Sequence, residues 1–245
     1  MRSIQFSRKA PPKRAACIGW FITLGAAFGL TVLPASRLAA QASSGYQVNE
    51  SNSGPVRMCR FSDVSGSISW RADSSAPWSE AAVNLPLRQD AEIAASGGGR
   101  AEIEFDDGSH LRMARGAVVT LRTMYSDSQG EFTEIAVRSG VIGLGLRQGP
   151  SVYQIDTPIV SVDASGPARF RVDCTSGVQV GVSLGRLTVE GNEGKETLSA
   201  GQYLSLGGPR AYYHVRSLPP ADGFDHWSNV LYDREDRYWN GPYHT

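Results

Sequence analysis

The stretch from Gly97 to Leu121 limits what this chain can fold into more than any other. Ala101, Ile103 and Phe105 alternate with Glu102 and Glu104, the period-two signature of a strand with one buried and one wet face. Asp107-Gly108 follows, a pair that tolerates the backbone of tight turns whose twist matches the flanking strands. Leu111 and Met113 then alternate with Arg112 on a second strand. The reading is a β-hairpin whose apolar face needs a cover and whose Glu102 and Glu104 point together into water.

The same grammar recurs along the chain. Arg57 to Trp70 reads as two short strands meeting at Ser65-Gly66, and Asn84-Leu85-Pro86-Leu87 as an extended edge or loop. Phe132 to Arg138 turns Ile135 and Val137 inward. Val141 to Leu146 puts Ile142, Leu144 and Leu146 on one face and Gly143 and Gly145 on the other, where a close-passing backbone is expected. Further strands are expected at Val152 to Ile155, Ile159 to Val162 and Arg169 to Cys174. Val178 to Leu184 should pair with Leu187 and Val189 across Gly185, and Leu198 to Leu206 adds a last strand or two. With 27 Gly and 13 Pro dividing short strands, the expected class is all-β, an antiparallel β-sandwich or β-roll. The period changes only after Leu218-Pro219-Pro220. Phe224, Trp227 and Leu231 recur at helical spacing behind the capping residue Asp222, which predicts a short amphipathic helix near 222–238 and a loose tail after it.

The N-terminus carries a different signal. Residues 1–42 hold six of the 24 basic residues (Arg2, Arg8, Lys9, Lys13, Arg14, Arg37) and none of the 24 acidic ones, which leaves a body acidic by six charges. Basic Met1 to Arg14, the uncharged apolar run Ala15 to Val32 and the small residues of Ala40-Gln41-Ala42 fit a signal peptide cut between Ala42 and Ser43. The run also approaches bilayer length, so an uncleaved anchor is the alternative. Either way the body is expected outside the cytosol, in the periplasm or outer envelope, and to touch a membrane only through this segment. Residues 43–55 read as a flexible leader, 56–210 as the β domain and 211–245 as a C-terminal extension. The acidic body argues against a nucleic-acid partner.

Few residues offer chemistry. Cys59 and Cys174 each sit among apolar neighbours on their strands; in an oxidising compartment they are expected to form a disulfide, with two buried thiols as the alternative. Cys17 precedes the apolar core and is given no role. His110, His214, His226 and His244 are scattered, and a metal site is entertained only where His226 lies beside Asp222 and Asp225. Glu102 and Glu104 lack the contrasting surroundings of an acid and base pair. No phosphate-binding loop or nucleophile elbow is present, so no catalytic, metal or cofactor residue is assigned and no cofactor is expected. Trp78, Tyr212, Tyr213, Trp227 and Trp239 are candidates for a sugar surface but are explained as well by packing.

Several of these motifs in order resemble the FecR-type domain, a β-rich module of bacterial envelope proteins. Gly66-Ser67-Ile68, Leu87-Arg88-Gln89-Asp90, Gly99 to Phe105 with Asp107-Gly108-Ser109 and Leu111-Arg112-Met113, Gly140-Val141, Asp156-Thr157-Pro158, Gly185 to Val189 and Leu198 to Gln202 stand where that family has its marks, over about residues 57–208. Gln89 departs from a usual Gly, and Gly166-Pro167-Ala168 from a usual Gly-Thr. Sensors of this family carry a cytoplasmic sigma-factor-binding domain, for which the roughly fourteen residues before the apolar run are too few. Phe224-Asp225-His226-Trp227 is more like the stand-alone exported members. The resemblance implies a non-enzymatic binding or assembly module with an envelope protein or glycan as partner. A membrane-anchored regulator and a carbohydrate-acting enzyme are the alternatives.

Overall fold

The structure is a computed structural model that describes residues 56–239; the targeting segment with Ala42 and Ser43, the leader, Cys17 and His244 lie outside the described residues. No helix among the described residues is long and apolar enough to cross a membrane. In chain order the elements are β1 (Cys59–Ser65), β2 (Ile68–Arg71), β3 (Ser79–Glu80), β4 (Pro86–Leu87), β5 (Glu92–Ala95), β6 (Arg100–Phe105), β7 (His110–Asp127), β8 (Gly130–Leu146), β9 (Ser151–Asp156), β10 (Ser161–Ser165), β11 (Ala168–Asp173), β12 (Val178–Leu184), β13 (Arg186–Gly191), β14 (Gly194–Ser199), β15 (Gln202–Leu206), β16 (Val215–Ser217) and the helix α1 (Gly223–Trp239). The expected β class and the C-terminal helix are both present.

The long hairpin β7–β8 organises the rest. Its register shifts between Ala114 and Val118, beside Gly116 and Gly140, both at positive φ. A Cβ at Gly140 would lie 2.2 Å from the Ala117 nitrogen, so only glycine lets the two strands bend past each other here. Each half of the hairpin carries its own neighbours. The half with His110 to Ala114 and Val141 to Leu146 pairs outward to β6, β1 and β4 on one side and to β11, β12, β15 and β16 on the other. The half with Val118 to Asp127 and Gly130 to Ser139 pairs to β5, β2 and β3, and to β9, β10, β13 and β14. One hydrogen-bonded sheet of 16 strands results. It is mixed, because β8 and β9 run parallel. Residues of both halves, Phe61, Ile103, Leu144 and Val180 with Ile93, Leu121, Ile155 and Val189, join a single buried core, which supplies the main driving force for folding.

Local expectations fare unevenly. Ala101, Ile103 and Phe105 are buried, as their parity predicts. The strands on either side of Ser65-Gly66 form but do not pair: β1 joins β4 and β6, while β2 joins β3 and β5. The hairpin expected across Gly185 is corrected in the same way. β12 pairs with β11 and β15, and β13 with β10 and β14. Gly185, at φ 78°, carries the chain from one half of the sheet to the other, and a Cβ there would meet the Pro167 carbonyl oxygen at 2.3 Å.

The expected Cys59–Cys174 bridge is also corrected, since both thiols are free. The ladder shows why. Cys59 pairs with Phe105, next to the row Glu104, His110, Gly145, Arg169. Cys174 follows the opposite end of β11, where its N–H donates to the Gly140 carbonyl. Four strand spacings and about six residues of strand separate them, roughly 25 Å, whereas a disulfide requires Cα atoms within about 7 Å. Similar parity and similar neighbours did not mean proximity.

Candidate functional site

The outward face of the His110–Ala114 and Val141–Leu146 half is not open to water, because α1 lies on it. Asp222 caps the helix: its Oδ1 accepts from the N–H of Phe224 (2.8 Å) and Asp225 (3.2 Å), and Asp225 Oδ2 accepts in return from the Asp222 N–H (3.0 Å), a reciprocal capping box. Phe224 packs with Ala114, Val141 and Trp227. The two glycines of β8 are the seat of the helix aromatics. A Cβ at Gly143 would touch the Phe224 ring at 3.1 Å, and one at Gly145 would come within 2.4 Å of Tyr232. What passes close to these glycines is aromatic side chain, not the backbone that the sequence suggests.

Three arginines from the sheet meet the acidic underside of the helix. Arg171 on β11 contacts Asp222 (2.9 Å), Asp225 (3.1 Å) and its strand neighbour Asp173 (2.8 Å). Arg169 grips both oxygens of Asp236, at 2.9 and 2.8 Å. Arg112 on β7 is wholly buried. Its Nε donates to Glu102 Oε2 (2.8 Å), Nη1 to Ser228 Oγ (3.2 Å) and Nη2 to Glu235 Oε1. The Tyr232 ring lies between two guanidiniums, 3.8 Å from Arg112 and 4.2 Å from Arg169, a cation–π pair on each face.

Glu102 is therefore not the solvated residue its parity predicts; it is 1% exposed. Its Oε1 accepts from Ser62 Oγ at 2.8 Å and lies 3.5 Å from Arg234. Glu104, two residues on, pairs instead with Arg60 at 2.6 Å, so the two carboxylates share no catalytic cleft. His110 is buried beside this group, with Nδ1 3.3 Å from Glu235 Oε2. Burial works against ionised Glu102, but Arg112 and the Ser62 hydroxyl outweigh it and hold the carboxyl below its usual range. Burial lifts Glu235 to about 7, against the pull of Arg112 and with the help of the Glu102 charge. His110 is lowered, chiefly by burial and also by Arg112, against the pull of the Glu102 charge.

Other residues singled out in the sequence are dispersed. His214 and His226 are exposed, and the Asp222 and Asp225 carboxylates beside His226 are engaged by Arg171. Trp78 stacks on Arg71 (4.7 Å), Tyr213 donates to the Gly194 carbonyl and Trp227 packs on Phe224: one edge of the sheet, its opposite edge and the helix, not one sugar platform. The Glu102, Arg112, His110 and Glu235 group was missed. A signal existed in the register, where Glu102 stands opposite Arg112 across the hairpin, and in the helix, whose Asp225, Tyr232, Glu235 and Asp236 share an underside.

A groove of about 380 Å³ runs along α1, lined by Arg171, Gln179, Tyr203, Leu218, Asn229 and Tyr232 among others. Among solved structures, two of a protein described as a candidate anti-sigma factor from Parabacteroides distasonis ATCC 8503, at 1.65 and 2.50 Å resolution, are similar: 18% and 16% identity, 60% and 59% of this chain and 74% and 72% of those chains covered, TM-score 0.47 in each case. No curated protein matches the chain. Residues 91–188, from the start of β5 into β13, match the family described as FecR protein, and the chain accordingly contains a FecR-type domain.

Proposed function

We propose that this FecR-type domain is an exported binding or assembly module of the cell envelope that makes and breaks no bonds of its own. The observation that carries the reading is the joint between α1 and the sheet. Its acids and arginines are paired with one another, which fixes the helix and leaves beside it a groove lined by charged, amide and aromatic side chains. A few polar groups set in a largely formed concavity suit recognition of an envelope protein segment or glycan. Filling the groove tests this. Envelope extract passed over the immobilised domain should yield a partner that Gln179→Arg or Asn229→Trp no longer captures. Equal capture by the filled variants, or turnover of an envelope glycan by the domain, would overturn it.

The apolar run Ala15 to Val32 supports a second reading, in which the same module is held at the inner membrane and relays its binding state inward. A mature N-terminus at Ser43 would exclude that reading, and an intact Met1 end would favour it.

A further inference from the structure

Whatever the groove receives, we infer that Glu102 and Glu235 share one proton across the joint between α1 and the sheet, which makes the last turns of α1 a pH-responsive latch, closed while the proton is held and loosened when it leaves. The geometry is that of two acids on one base. Arg112 donates from Nε to Glu102 and from Nη2 to Glu235, so the guanidinium edge that a single carboxylate can take with both oxygens is split between two. An oxygen of each carboxyl comes within 4.8 Å of the other. The side chains of Arg112, Glu102 and Glu235 are 0%, 2% and 13% exposed. Two like charges this close and this dry are costly together, and one of the pair keeps its proton to a higher pH than a lone carboxyl does.

The other groups facing the pair relieve it only in part. From β7, His110 Nδ1 stands 3.3 Å from Glu235 Oε2, but burial, Arg112 and Arg147 press its imidazole below the ordinary range against the pull of Glu102 and Glu104. Arg234, on α1 itself, reaches Glu102 at 3.5 Å from a side chain that is 58% exposed. Arg169 of β11 is committed to both oxygens of Asp236. His110, Arg147, Arg169, Tyr232 and Asp236 line a cavity of about 230 Å³ against Glu235, the route by which its proton reaches water. The first turn of α1 is anchored separately, by Phe224 among Ala114, Val141 and Trp227, whereas Ser228, Glu235 and Asp236 are held by Arg112 and Arg169. Glu235 is raised in the docked state, so docking is firmest in acid and weakens as pH rises through about 7. Asn229 and Tyr232 wall the groove, so loosening the latch also opens it.

The test compares protection factors of α1 amides, corrected for intrinsic exchange, at about pH 5.5 and about pH 8.5. Linkage between 4.5 for the released carboxyl and about 7 for the docked one gives a fall of about thirtyfold over residues 229–237, with β8 and β12 unchanged. Glu235→Gln, which keeps a neutral hydrogen-bonding side chain, should hold the protection of the acid form at both pH values, and His110→Gln should leave the fall in place. Circular dichroism checks that both variants fold. The carboxyl carbon shift of Glu235 reads the proton without any variant and should titrate near 7. Titration at the ordinary carboxylate value, no fall in α1, an equal fall in β8, a fall that survives in Glu235→Gln or one lost in His110→Gln would overturn the latch. Failure of the groove to capture a partner at any pH would count against the groove reading and leave the latch standing.

Discussion

Replacing Arg171 by Met should loosen α1 while leaving the sheet as it is. Arg171 makes three ion contacts of 2.8 to 3.1 Å with Asp173, Asp222 and Asp225. In a medium of effective dielectric about 20, a pair of charges 4 Å apart would gain about 4 kcal/mol. The arginine side chain is 22% exposed and the two helix carboxylates 37% and 31%, so each helix contact is discounted toward the surface value of about 0.5 to 1 kcal/mol. Two such contacts, plus crowding among the three carboxylates once the cation is gone, come to about 2 kcal/mol of docking free energy, or some thirtyfold in the docking equilibrium. Hydrogen exchange resolved by segment is the assay, because it reads local opening separately from global unfolding. Protection across residues 223–232 should fall by about that factor, while β8 and β12 keep theirs. Adding Asp225→Asn should recover part of the loss by relieving the crowding. Unchanged protection in the helix, or an equal loss in β8, would refute the idea that these ion pairs hold an otherwise separable element.

Other consequences follow from the same geometry. Gly145→Ala should undock Tyr232 and destabilise by about 1 to 3 kcal/mol as overpacking does, whereas Gly143→Ala, whose contact with Phe224 is only 3.1 Å, should cost clearly less; equal denaturant midpoints for the two would contradict this. Gly185→Val should prevent folding to the native sheet, since it adds both a left-handed φ and a 2.3 Å clash with the Pro167 carbonyl, and soluble, wild-type-like expression would be evidence against that crossover. Burial works upward on Asp107 and Asp173, but hydrogen bonds from Ser151, Ser109 and Tyr153 to the one and from Thr175 and Arg171 to the other hold both below the usual carboxylate range. Their contribution is thus present above about pH 4 and lost as pH falls through the native values; urea midpoints should drop between pH 4 and 2, less so in Asp107→Asn, and a flat profile there would count against it. Burial also pushes the Cys174 thiol up to about 12 and Cys59 higher still, so both should resist maleimide in the native state and react once unfolded; a bridged pair would react in neither state without reductant.

How far the sequence could be read depended on what each pattern encodes. Alternation records which side chains share a strand face, so Ala101, Ile103, Phe105, Ile142 and Leu144 were placed in the core correctly. It does not record which strand lies alongside. Cys59 and Cys174, or Val182 and Val189, carry the same apolar signature whether adjacent or on distant ladders, and the long-range register that decides this is written in bends such as Gly140 and Gly185, whose need for positive φ shows only in three dimensions. Nor does alternation say whether a polar face is wet. Glu102 and Arg112 alternate as residues of a solvated face should, and would be one, were it not for a helix more than a hundred residues later that brings Ser228, Tyr232 and Glu235 over them. The helix itself was legible from Phe224, Trp227 and Leu231. Its second message lay in the carboxylates on the same underside: an amphipathic helix that carries Asp225, Glu235 and Asp236 beside its aromatics expects arginines beneath it. That complement was present on the helix-facing side of two strands, as Arg112 on β7 and as Arg169 and Arg171 two residues apart on β11. Charge on the inner face of a helix, matched to charge on the outer face of a sheet, is therefore the pattern by which a capped β layer of this kind announces its cover.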